Sequence, residues 1–111
     1  MELDSKNIHI ATRHARSKIA WMNCGESEWV YIGEKEDFNL QKVDKEIASF
    51  FHEDRIYLSV DRHTGFEVSK DKAAWNVLKY LSNDVFLAGE DFRNIMEFNK
   101  MGIFRRGSIV S

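Results

Sequence analysis

The segment Arg55–Leu81 changes its hydrophobic period midway, and this change constrains the fold more than any other feature of the chain. Apolar and polar residues alternate over Arg55–Val60 and again over Phe66–Ser69, with the turn formers Asp61–Gly65 between them. This pattern is typical of an antiparallel hairpin. From Lys70 the apolar residues recur at spacings of three, one and three, as on one face of a helix, and the preceding serine stands at the N-cap position. The sequence therefore predicts two paired strands followed directly by a helix.

Patterns of helical period also occur in three other segments. Apolar residues recur on one helical face over Leu40–Phe51 and over Glu90–Gly102, where the final glycine stands at the position that follows a helix end. Ala11–Met22 fits a helix too, although Asn7–Ala11 alternates like a strand and Lys18–Met22 could instead form one arm of a hairpin. We predict a helix in each of the three segments, with strand pairing as the alternative for the first.

Three segments have the composition of strands. Glu28–Gly33 is dense in aromatic and β-branched residues, Val85–Gly89 is a short apolar run, and Ile103–Val110 could close the sheet as an edge strand on which Arg105 and Arg106 discourage further pairing. The predicted fold class is α+β, with a four- to five-stranded, mostly antiparallel sheet and about three helices packed on one face.

Composition indicates one folded domain over residues 1–111. The chain is 43% hydrophobic and contains three tryptophans, three tyrosines and eight phenylalanines, which a disordered chain would lack. No apolar run approaches the roughly 20 residues that span a bilayer, and the N-terminus has no apolar signal-peptide core, so we expect a cytoplasmic protein without membrane contact. Cys24 is the only cysteine, which excludes an internal disulfide.

Charge is distributed unevenly along the chain. Residues 26–54 carry nine acids against three lysines, whereas residues 1–25 have a net charge of +2 and residues 98–111 one of +3. Such asymmetry bears on the choice of partner and the rate of association, but not on the fold.

The hairpin loop contains the one constellation that could carry catalysis. Asp61, Arg62 and His63 place an acid, a guanidinium and an imidazole together, which are groups that a small hydrolase or nuclease can use. The same residue types are ordinary turn formers, and we expect Gly65 to adopt a positive φ there. The four histidines lack the close spacing of a zinc site. We therefore predict no enzymatic activity, no cofactor and no metal, with the enzyme as an alternative.

A nucleic-acid-binding or regulatory adaptor is a second alternative. It would use Arg13, Arg16, Arg105 and Arg106 if the basic termini met in space. Single-strand binders combine aromatic residues with a basic groove, but Trp29 lies among acids, which repel phosphate. Nucleic acid is therefore not the expected partner.

The acidic middle, with its aromatic residues, is the feature that could carry specificity. Carboxylates around exposed aromatic rings would steer a basic protein into contact and hold it through aromatic anchors, whereas the alternative is an ordinary solvated surface. The predicted partner-binding residues are Glu26, Glu28, Trp29, Tyr31, Glu34, Glu36, Asp37, Asp44 and Glu46.

A small, acidic, aromatic-rich α+β chain of this kind resembles the immunity proteins of bacterial contact-dependent growth inhibition and related toxin systems. The resemblance covers the whole chain as a general type and rests on no shared motif, so no functional residue carries over from it. It implies an inhibitor that binds one cognate toxin, a basic nuclease, at or beside its active site. Neither the identity of the partner nor the oligomeric state follows from the sequence.

Overall fold

One antiparallel sheet forms the centre of the fold, and the computed structural model describes it within residues 3–23, 27–33 and 35–109. The strands are β1 (Ile19–Trp21), β2 (Val30–Tyr31), β3 (Arg55–Ser59), β4 (Gly65–Ser69), β5 (Val85–Ala88), β6 (Asn94–Asn99) and β7 (Ile103–Ile109). The strand order is β1-β7-β6-β5-β3-β4, and β2 pairs with the end of β7 that β1 leaves open. The α+β class is confirmed, but these residues form seven strands where four or five were predicted.

The helices are α1 (Ser5–Arg16), α2 (Leu40–Phe50) and α3 (Lys70–Tyr80). The carboxylate of Asp4 caps α1 by accepting a hydrogen bond from the Asn7 amide at 2.8 Å, and the side chain of Asn39 caps α2 in the same way. No helix in the described ranges combines the length and the apolar character needed to cross a bilayer.

The helices lie on both faces of the sheet, so the prediction of helices on one face is wrong. Tyr57, Ala88 and Ile95 are neighbours across three strands, and they form one apolar cluster with residues of α1. The adjacent residues Leu58, Leu87 and Met96 point to the opposite face, where they pack with residues of α2 and α3. Because successive side chains of a strand alternate between faces, the central strands are buried on both sides.

The hairpin and helix over Arg55–Leu81 are confirmed as β3, β4 and α3. Ser69 is the N-cap residue of α3, although its side chain makes no capping hydrogen bond. The helix predicted from Leu40 and the strand predicted from Val85 are confirmed as α2 and β5. The expectation of a positive φ at Gly65 is wrong, since the glycines in that conformation are Gly33 and Gly102 among the residues described.

Of three predictions near the ends of the chain, the helix from Glu90 is wrong, the helix over Ala11–Met22 is right only as far as Arg16, and the strand from Ile103 is confirmed as β7 but is not an edge strand. The segment expected to form a helix from Glu90 to Gly102 is strand β6 and its turns, and Gly102 serves the turn into β7 with φ of 86°. The helix expected over Ala11–Met22 ends at Arg16 and is followed by β1. Strand β7 is interior, because it pairs with β6 on one side and with β1 and β2 on the other.

Candidate functional site

The structure divides the predicted acidic surface into a paired part and an exposed part. The carboxylate of Glu28 pairs with the Arg105 guanidinium, and Glu46 pairs with Arg106. Both arginines belong to the basic C-terminal segment, so β7 neutralises two of the predicted contact acids. Glu26 and Glu34 lie outside the described residues.

Trp29 is engaged in a stack and is partly buried. The guanidinium of Arg105 lies between two indole rings, 3.9 Å from the ring centre of Trp21 and 4.5 Å from that of Trp29. Guanidinium groups stack favourably on indole faces. Trp29 therefore supports β7 through this stack, and one of its faces is not free for a partner.

A buried carboxylate also binds the Arg105 guanidinium. The side chain of Glu97, which is 5% exposed, accepts hydrogen bonds from Nε and Nη2 of Arg105 at 3.0 and 2.9 Å. It also accepts from Nε and Nη2 of Arg16 at 3.2 and 3.1 Å. Sequence reasoning missed Glu97, and the available signal was a single acid within the apolar run Ile95–Phe98.

Segments that carry exposed apolar residues meet at the backbone of Ile32 and Gly33. Tyr31 is 62% exposed and directly precedes Ile32. The Ile32 amide donates a hydrogen bond to the Gly102 carbonyl at 2.8 Å, and Met101, the residue before Gly102, is 68% exposed. The Ile32 carbonyl accepts from the Asn39 amide at 2.8 Å, and the next residue, Leu40, is 42% exposed. Three large exposed apolar side chains thus belong to segments that meet at one corner of the sheet.

Exposed acids lie beside this corner. The carbonyl oxygen of Asp37 lies 2.1 Å from the position that a Cβ on Gly33 would take, so the turn carrying Glu36 and Asp37 folds back onto the residue two places after Tyr31. Asp44 follows Leu40 by four residues and shares its side of α2. Within the described residues none of these three acids takes part in an ion pair. We use the name Tyr31 surface for the exposed residues that these adjoining segments carry; its members are Tyr31, Glu36, Asp37, Leu40, Asp44 and Met101.

The loop Asp61–His63 has the geometry of a turn. Oδ1 of Asp61 accepts hydrogen bonds from the backbone amides of His63 and Thr64, both at 2.8 Å. These bonds, that of His63 first, stabilise the charged carboxylate and lower the pKa of Asp61. The Ser5 hydroxyl donates to the Arg62 carbonyl at 3.0 Å and ties the loop to α1. The carboxylate thus orders the loop backbone.

The basic residues named for nucleic-acid binding lie on different faces. Arg13 and Arg16 line a cleft of about 360 Å³ together with Lys100, which no sequence pattern linked to them. Arg105 shares the Glu97 carboxylate with Arg16. Arg106 projects to the opposite face of the sheet, where it meets Glu46 of α2. The four arginines therefore do not form one patch.

The described residues contain no group of three or more His, Cys, Asp or Glu side chains arranged to hold a metal ion.

Comparison of the chain with protein-family models, with curated proteins and with solved structures finds no match.

Proposed function

We propose that this chain is a binding protein that inhibits a basic protein partner, a bacterial toxin domain of the nuclease type, through the Tyr31 surface. The observation that carries the proposal is an exposed aromatic residue on a segment that is hydrogen-bonded to segments carrying exposed apolar side chains and carboxylates, and these carboxylates have no ion pair in the described part of the chain. The toxin as partner comes from the general resemblance to immunity proteins.

Charge supports a basic partner. Residues 26–54 have a net charge of −6, and the described ion pairs of that segment involve Glu28 and Glu46, whereas Glu36, Asp37 and Asp44 face solvent. Carboxylates at the rim of an interface accelerate association with a basic surface and disfavour acidic competitors. A nuclease active site, which must attract phosphate, presents such a basic surface.

Apolar exposure supports tight binding at the centre of the same surface. Tyrosine is over-represented among residues that dominate binding energy, because it offers a large ring and a hydroxyl at low entropic cost. Tyr31 and Met101 expose more than half of their surface. Removing Tyr31 should therefore raise the dissociation rate, while reversing the acids should lower the association rate.

The test is a tagged pull-down from the lysate of the source cell at low and moderate salt, followed by an inhibition assay on the protein that is recovered. We expect one basic protein whose nucleic-acid cleavage stops when this chain is added in equimolar amount. Glu36→Lys/Asp37→Lys should abolish capture and inhibition, and Tyr31→Ala should weaken both.

The matched control is Glu90→Lys/Asp71→Lys, which changes net charge equally at two exposed acids outside the Tyr31 surface. It should capture and inhibit like the unaltered chain. A recovered protein whose activity is unaffected, or one that the Glu36→Lys/Asp37→Lys variant still binds, would contradict the proposal.

A further inference from the structure

The cleft beside α1 is separate from the Tyr31 surface and has an uneven balance of charge. It is lined by Arg13 and Arg16 of α1, by Lys100 of the turn after β6, and by polar side chains of the turn after α3, with Phe86 on one wall. Arg13 and Lys100 form no ion pair with any described residue.

The Arg16 guanidinium is held in place from two directions. Its Nε and Nη2 donate to the buried Glu97 carboxylate, and its central carbon lies over the Phe86 ring, 5.6 Å from the ring centre. Nη1 makes no hydrogen bond within the described chain, and the side chain is 45% exposed. A guanidinium fixed in this way loses little freedom when it binds a ligand.

The carboxylates of the cleft do not cancel its positive charge. Glu97 is shared by Arg16 and Arg105, so two guanidinium groups face one carboxylate. Oδ1 of Asp84 accepts a hydrogen bond from the Lys100 backbone amide at 3.0 Å and orders that turn. Arg105 also pairs with Glu28, so with Arg105 counted four cations face three carboxylates around the concave site, which leaves an excess of positive charge.

We propose that this cleft binds a phosphate group, held by the guanidinium groups of Arg13 and Arg16 and by the ammonium of Lys100. Planar guanidinium groups donate paired hydrogen bonds to phosphate oxygens, and lysine adds a point charge. Arg13 and Arg16 are three residues apart on α1 and therefore point to the same side of the helix. The phosphate comes either from a small phosphorylated compound or from a single-stranded nucleic-acid chain.

The test uses inorganic pyrophosphate and a single-stranded oligothymidylate as probes of the full chain at low salt. Binding is measured by calorimetry and by the NMR signals of the arginine Nε–H groups. We expect saturable binding with shifts at Arg13 and Arg16. Arg13→Gln and Lys100→Gln should each weaken binding about tenfold, as expected for the loss of one charge-assisted contact.

The controls are Arg93→Gln and Lys18→Gln, which remove the same charges at exposed positions outside the cleft. They should change affinity by less than about twofold, which is under about 0.4 kcal/mol. Tighter binding of the oligonucleotide, lost in Arg13→Gln, assigns the phosphate to nucleic acid, and equal or tighter binding of pyrophosphate assigns it to a small compound. The absence of saturable binding by both probes, or equal weakening in the controls, would overturn the proposal.

Discussion

Replacement of Glu97 by glutamine should destabilise the fold strongly, because this carboxylate joins α1 to β7. Its side chain is 5% exposed and accepts four hydrogen bonds from Arg16 and Arg105. Removing one partner of a buried ion pair costs about 3–5 kcal/mol. Arg16 can be hydrated, since it is 45% exposed, and Arg105 keeps Glu28 and the indole stack. We therefore expect the lower end, about 3 kcal/mol.

Urea unfolding followed by circular dichroism measures this loss as a lower midpoint at an unchanged slope. In thermal unfolding the same loss corresponds to a decrease in Tm of roughly 10 °C for a domain of this size. The control is Glu67→Gln, which breaks an ion pair with Arg55 whose side chains are 37% and 54% exposed. Exposed pairs contribute about 0–1 kcal/mol, so the control should remain close to the unaltered chain.

Salt separates the two cases further. Raising the ionic strength from about 0.1 M to about 1 M shortens the Debye length from about 10 Å to about 3 Å and screens exposed pairs far more than buried ones. The effect of Glu97→Gln should persist at high salt, and the effect of Glu67→Gln should shrink. A loss below about 1 kcal/mol for Glu97→Gln, or a loss equal to that of the control, would refute the reasoning from burial.

Three further predictions concern local features of the fold. Gly33→Ala should cost more than about 1 kcal/mol in urea unfolding, because the residue has φ of 86° and its Cβ would meet a backbone oxygen. Trp29→Ala should cost about 1–2 kcal/mol through loss of its stack, and the 61% exposed Trp75→Ala less than about 0.5 kcal/mol; equal losses would contradict the burial assignment. Burial first, and then neighbouring guanidinium groups that include Arg62, lower the pKa of His9 below 6.5. The neutral form of His9 is thus favoured by folding, so its contribution to stability is full above pH 6.5 and is lost as the pH falls through the folded pKa. An NMR titration should place the midpoint below 6.5 and show it rising in Arg62→Gln; a midpoint at or above 6.5 would contradict this.

The sequence was sufficient where an apolar face keeps its helical period or where turn residues separate two strands. In α2 the apolar residues keep a helical period because the opposite face is solvated, and the hairpin of β3 and β4 is separated by recognisable turn residues. Strand β6 was misread because Ile95, Met96, Glu97 and Phe98 are all buried, with helices on both faces of the sheet. A strand buried on both faces loses its alternation, so the spacing of its apolar residues imitated a helix.

The interior position of β7 was hidden by two arginines whose partners are distant in sequence. Adjacent cations normally protect an edge strand, but Arg105 pairs with Glu28, 77 residues away, and Arg106 pairs with Glu46, 60 residues away. No local pattern reports such pairing. The net charge of a surface can therefore be assigned only when it is known which acidic and basic segments of the sequence the fold brings together.

This pairing changes where the acidic middle can meet a partner. Glu28 and Glu46 stabilise β7, so replacing them would disturb the sheet as well as any interface, and a loss of binding there would be uninformative. Glu36 and Asp37 are exposed in a turn beside Tyr31 and have no ion pair with the other described residues. Charge reversal at these two positions therefore tests partner binding without first removing a contact that holds the fold together.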